Sequence, residues 1–215
     1  MQCCSPAGGL ERMFGAKRAR KDLGRYWKKG LDKSAKGVVE ALKARGVADL
    51  DVLEIGFGIG ALHLELLKAG AVRAVGLELS PAYVEAAQEL AERLGFKQVV
   101  DYRLQNLAEN PDGVPEAAVV VMHRVVCCYP DMPGLVQPAA QRARTFLALT
   151  FPRDTWWMRI GIKFINGLLA LRRCSFRTYL HSPQAIRAIA EKAGLSLVFQ
   201  TYSGPWQIAL FERAG

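Results

Sequence analysis

Two carboxylates bracket a glycine turn in this chain. The stretch VLEIGFGIGAL (52–62) places Gly56, Gly58 and Gly60 at alternate positions, with Glu54 two residues ahead of the first. Glycines so spaced after a strand allow a tight turn and a close approach of ligand to backbone. Alone, that pattern also suits a dinucleotide fold. A carboxylate at Glu54 is poor company for a pyrophosphate and good company for a cation. Glu78, in VGLELSP, ends the next apolar run, where an acid can accept hydrogen bonds from both hydroxyls of a ribose. A second cluster is HRVVCCYPDM (123–132), directly after the apolar run AAVVVM. It holds His123, a residue type able to act as a base near neutral pH, the adjacent thiols Cys127 and Cys128, and the phenol Tyr129. His123 reads as a base, a cofactor contact or a hydrogen-bonded structural histidine. Cys128 reads as a small apolar lining residue or as a thiolate, proton shuttle or soft ligand. Tyr26 and Tyr129 are the phenols expected to face a pocket, with core packing as the alternative for both.

The elements that must position these groups alternate. Residues 10–29 and 32–45 look helical, the second stopping at Gly46. DVLEI (51–55) is a buried strand, and 61–68 a helix ended by Gly70. Strands follow at 71–79 and 97–104, separated by a helix that Ser80 caps and Pro81 starts. AAVVVMH (117–123) and ARTFLALTF (143–151) are further strands around a short helix near 133–141. After a long basic and aromatic stretch at 153–180, a capped helix spans 182–194. LSLVFQTYS and WQIALFERA are separated only by Gly204 and Pro205, so they should pair as an antiparallel hairpin. Such alternation predicts right-handed crossovers and an α/β fold. Its form is a doubly wound, mostly parallel seven-stranded sheet with a C-terminal antiparallel hairpin. The organisation expected is an N-terminal helical cap (1–47) belonging to the same unit as a domain at 48–215.

Composition narrows the classes. The 215 residues are 51% hydrophobic, too apolar for disorder and of a size for one α/β domain. No apolar run reaches the length of a membrane span, and the start MQCCSPAGGLERMFGAKR lacks the apolar core of a secretory signal. Five cysteines, an odd number, suit reduced thiols, and a cytoplasmic location is expected. The net charge of +9 is concentrated: residues 1–46 hold twelve bases and four acids. That is a solvated helical face, or an attraction for an anionic substrate, a membrane surface or nucleic acid.

The acid-x-Gly-x-Gly-x-Gly loop, the acid ending the second strand and the terminal hairpin together resemble the class I S-adenosylmethionine-dependent methyltransferases. The resemblance covers about residues 48–211. It implies S-adenosyl-L-methionine as cofactor, with Glu54 and the Gly56–Gly60 backbone on its methionine portion. It puts Glu78 on the ribose and Leu79 against adenine. After the third strand the family often has an acid on the adenine amino group; here LQNLAEN places Asn106 there, with Leu107 beside it. An Asn oxygen can accept from that amine.

Within that family the pattern is similar to the magnesium-protoporphyrin O-methyltransferases. CCYP (127–130), TFPRDTWW (150–157) and TYLHSP (178–183) occur in their order, and RYW (25–27) resembles their cap. Their His of His-Tyr-Pro is Cys128 here, so the architecture carries over and the porphyrin does not. CCYP also lacks the Pro-Pro-aromatic of amino-directed nucleobase enzymes, and a nucleic-acid substrate is not expected. The implied reaction is methyl transfer to a small anionic or aromatic acceptor, at oxygen, with catalytic candidates His123, Cys128, Tyr129 and Tyr26. One alternative is a thiol or metalloid acceptor held by Cys3, Cys4 and Cys128; no metal site is assigned, since zinc-like Cys-x-x-Cys spacing is absent. The other is a binding module without catalysis. The insert at 153–180 is expected to close over the acceptor as a lid, with an interfacial membrane helix or a dimer surface as rivals.

Overall fold

Strand β1 (Asp51–Ile55) lies at the centre of a seven-stranded sheet in the computed structural model, which describes residues 11–214. The strands flanking it are β2 (Arg73–Glu78) and β4 (Ala117–His123), both parallel to it. Next to β2 runs β3 (Val100–Leu104), and next to β4 runs β5 (Ala143–Pro152). β7 (Trp206–Arg213) joins β5 antiparallel, and β6 (Leu195–Ser203) pairs antiparallel with β7 at the edge. The order is β3-β2-β1-β4-β5-β7-β6, so the chain reverses its direction of winding between β1 and β4. In doubly wound sheets that reversal opens a crevice at the carboxyl ends of the two strands.

The central strands are buried on both faces, which is why they read as unbroken apolar runs. Successive side chains alternate between two cores. Val52, Val119, Val121 and Ala148 face one, with α3 (Lys33–Lys43), α4 (Ala61–Lys68) and α5 (Pro81–Arg93). Leu53, Val120, Met122 and Leu147 face the other, with α6 (Met132–Arg142) and α8 (Pro183–Lys192). The N-terminal part is two helices, α1 (Glu11–Phe14) and α2 (Ala16–Lys29), broken at Gly15, where one was expected. The third strand is shorter than predicted. Lys97–Val99 form a 3-10 turn, because the pairing with β2 begins only at Ala74 opposite Val100. α7 (Trp156–Leu171) leaves the carboxyl end of β5.

Asp51 ties three strands at the opposite end. Its carboxylate accepts from the Ala118 N–H at 2.7 Å, from Arg144 at 2.7 Å and from Arg73 at 3.1 Å. Burial alone would raise its pKa, but those three donors hold it below the usual carboxylate range. A depressed carboxyl stabilises the fold above its unfolded pKa of about 4 and loses that contribution as pH falls through the folded value. Asp51→Asn is therefore expected to cost about 1–3 kcal/mol at neutral pH and progressively less in acid. Urea unfolding across pH tests this; an equal cost at every pH would refute it.

Candidate active site

The crevice at the reversal is a cavity of about 320 Å³. Its walls come from β1, β2 and β4, the loops after them, and α2 with the turn behind it. The glycine turn follows β1. Gly56, Gly58 and Gly60 all take positive φ, at 66°, 57° and 73°. At Gly56 a Cβ would overlap the Val125 side chain, and at Gly60 it would sit 2.8 Å from His63 Cε1 and 2.9 Å from the Tyr102 hydroxyl. Both positions need glycine for space as well as for conformation.

Glu54 lines the cavity and is buried to 2% exposure. Its Oε2 accepts from the His63 N–H at 3.1 Å, closing the first turn of α4, and lies 2.7 Å from His63 Nδ1. His63 Nε2 lies 2.9 Å from the Tyr102 hydroxyl. Burial, then the Glu54 charge, pushes the pKa of the Tyr102 phenol up. The acid is thus shared: one oxygen serves the helix and His63, and Oε1 is left for a ligand. Nothing in the sequence pointed to His63, which sits in an apolar helix.

Glu78 braces the turn from the other side. Its Oε2 accepts from Gly58 N–H at 3.0 Å, and its Oε1 from Leu79 N–H at 2.7 Å and Ser80 N–H at 3.2 Å. Burial raises its pKa against the pull of those three donors, and the Glu54 charge adds to the rise. Leu79 and Leu107 lie in the wall beside it. Asn106 lines the cavity too, with its Oδ1 accepting from Ala108 N–H at 3.1 Å.

The other end of the cavity is built around His123. Neither of its ring nitrogens has a hydrogen-bond partner among the described residues, and Nε2 lies 3.6 Å from Asp32 Oδ2. Asp32 caps α3, accepting from Ser34 N–H at 2.9 Å and Ala35 N–H at 3.2 Å. Arg124, held at φ 61°, reaches Asp32 Oδ1 and Ser34 Oγ, both at 2.8 Å, and lies 4.5 Å over the Trp206 ring. Burial would raise the Asp32 carboxyl, but His123, Ser34 and Arg124 together hold it far below its ordinary range. Arg18 and Arg25, both on Asp22, stand in the wall contributed by α2.

Cys127 and Cys128 sit on a 3-10 turn (Val126–Cys128), their sulfurs 3.5 and 3.7 Å from the Arg124 carbonyl. Cys127 is buried; Cys128 and Tyr129 line the cavity. The Cys128 thiol lowers the pKa of Cys127, against burial. Cys3 and Cys4 lie outside the described residues, and no group of three or more His, Cys, Asp or Glu side chains suited to a metal ion occurs among the described ones.

The Tyr26 ring reaches the cavity, but its hydroxyl donates to Glu65 Oε1 at 2.5 Å and accepts from Lys68 Nζ at 3.0 Å. Burial, then Glu65, raises its pKa, and the hydroxyl links α2 to α4 through Glu65 and Lys68. The described residues of the insert at 153–180 do not line the cavity, but Phe176 packs edge-on against Phe14, which does. The last part of the insert backs the cysteine turn, with Tyr179 N–H donating to the Cys127 carbonyl at 2.7 Å. His181 Nε2 lies 2.8 Å from the Tyr129 carbonyl beside it.

The site therefore offers two acids around a glycine turn, fit for a cationic and hydroxylated ligand, and opposite them a histidine with its own carboxylate and nearby guanidinium groups. Residues 52–145 match the family model described as a methyltransferase domain. A curated ribosomal protein L11 methyltransferase from Symbiobacterium thermophilum is 26% identical over 56% of this chain and 42% of its own length. Erythromycin 3''-O-methyltransferase from Saccharopolyspora erythraea is 33% identical over 41% of this chain and 31% of its own. The chain thus spans less than half the length of these curated relatives. The crystal structure of magnesium protoporphyrin IX methyltransferase from Synechocystis PCC 6803 with bound SAH superimposes with a TM-score of 0.73 at 22% identity, covering 95% of this chain and 98% of that one.

Proposed function

This chain has the class I methyltransferase fold and carries a methyltransferase domain over residues 52–145, and on that premise we propose that it moves a methyl group from S-adenosylmethionine to an oxygen of a small anionic or aromatic acceptor. The observation that carries this reading is the placement of the Glu54–Glu78 turn and His123 in one cavity. The two acids and the uncrowded glycine backbone fit the cofactor, and no side-chain cation of the turn opposes its positive sulfur. Bound there, the cofactor supplies a methyl group already activated by the sulfonium.

The chain's own residues then have limited tasks. Glu54 Oε1 and the Gly56–Gly60 backbone hold the methionine portion. Glu78 holds the ribose through Oε2, which accepts only from Gly58 N–H and so keeps an acceptor site for a hydroxyl. Leu79 and Leu107 flank adenine, and the second lone pair of Asn106 Oδ1 serves its amino group. His123 takes the proton of an acceptor hydroxyl, and Asp32 steadies the resulting imidazolium. Arg25 and Arg124 favour an acceptor that bears negative charge. Cys128 and Tyr129 shape the space around it. In-line transfer needs mostly this positioning and the exclusion of water.

A screen for S-adenosylhomocysteine release across phenols, carboxylates, porphyrins and thiols tests the proposal. Turnover on an oxygen acceptor is expected. Release with thiols alone, or with none of these, would overturn it.

A further inference from the structure

α7 displays an apolar surface that is exposed among the described residues. Ile162 is its only buried residue. Trp156, Ile160, Phe164, Leu168 and Leu171 recur at three- and four-residue spacing and so form one stripe. They are 74, 60, 67, 41 and 81% exposed. Trp157 and Ile165 widen the stripe. The opposite side is tied down: Asn166 exchanges two hydrogen bonds with the Thr178 backbone, at 2.8 and 2.9 Å. A water-soluble surface seldom carries so large a contiguous apolar patch without a partner.

The charges around the stripe favour one kind of partner. Residues 155–190 contain six Lys and Arg and no Asp or Glu. At the pitch of a helix Lys163 and Arg172 fall on opposite borders of the stripe, with Arg173 just beyond the end. Two copies paired through this face would set these cations against one another. An anionic bilayer surface offers the complement to both features, with headgroups for the cations and acyl chains for the stripe. No helix among the described residues is long and apolar enough to cross a membrane, so this one would lie in the interface.

We propose that α7 docks the protein peripherally on anionic lipid, its Trp156–Leu171 stripe inserted at the headgroup boundary. The carboxyl end of the sheet, which bears the cavity, then faces the same side as the anchor, and an apolar acceptor could be drawn from the bilayer. This proposal is independent of the methyl-transfer reading, because partitioning is measured without turnover.

The test is co-sedimentation of the full chain with phosphatidylcholine vesicles, with and without phosphatidylserine. Binding is expected only with phosphatidylserine, and should weaken as salt rises. Ile160→Asp with Phe164→Asp should weaken it by roughly tenfold or more, while the thermal midpoint holds because both side chains are exposed. Lys163→Glu should weaken it less. Equal sedimentation with neutral vesicles, or binding unmoved by the double substitution, would overturn the proposal. So would a vesicle-indifferent dimer that the double substitution dissociates, since a second copy would then be the occupant.

Discussion

Turnover by a His123→Ala variant is expected to fall about 100- to 10,000-fold on an acceptor that arrives as a protonated hydroxyl. The ring ends β4 inside the cavity with both nitrogens unspent, and Asp32 is the nearest carboxylate, 3.6 Å away. In the absence of an acceptor such contacts are often long. Cofactor affinity should hold, because none of the groups around the glycine turn touches this ring. The loss should therefore appear in kcat. A carboxylate acceptor, already deprotonated, should lose far less, so the ratio of the two losses reports proton transfer as distinct from packing. An unchanged kcat on the hydroxyl acceptor would remove His123 as the base. Cys128→Ser is the companion measurement. It should bind cofactor normally, and if turnover survives it, the thiol has no chemical part and serves as wall.

The second large effect belongs to Glu78. Glu78→Ala should weaken S-adenosylmethionine binding by about 1–3 kcal/mol, close to 5- to 150-fold, through loss of the ribose hydrogen bonds. Part of that loss would come from the turn itself, since the carboxylate also accepts from Gly58, Leu79 and Ser80. Glu78→Gln separates the contributions. It keeps one acceptor oxygen and should fall between the other two proteins in a calorimetric titration. Affinity unchanged in the alanine variant would refute the ribose assignment.

The strand–helix order, the hairpin and the glycine turn were legible in the sequence because each is set by neighbours a few residues apart. Apolar runs, Gly, Pro and Ser carry that information directly. The pairs that finish the site are not local. Arg124 meets Asp32 across 92 residues, and Tyr26 meets Glu65 across 39. No spacing rule reaches so far, so neither Asp32 beside His123 nor the Tyr26–Glu65 bond is visible in the sequence. His63 was hidden differently, as one polar residue in the helix ALHLELLK, where burial beside Glu54 is a tertiary fact. The helix in the insert was readable from its period. Its uncovered face was not, since a pattern of apolar residues says where a helix wants cover and not whether the fold provides it.

Two acids of the site also brace the first turn of a helix. Glu54 accepts from one amide of α4, that of His63, and Asp32 from the Ser34 and Ala35 amides of α3, while both acids line the cavity. Selection cannot touch either residue for function without also loosening a helix, and stabilising variants there would tend to disturb chemistry. Cys128 and Tyr129 start no helix. Substitutions at those two wall positions are expected to reshape the cavity without touching a helix start.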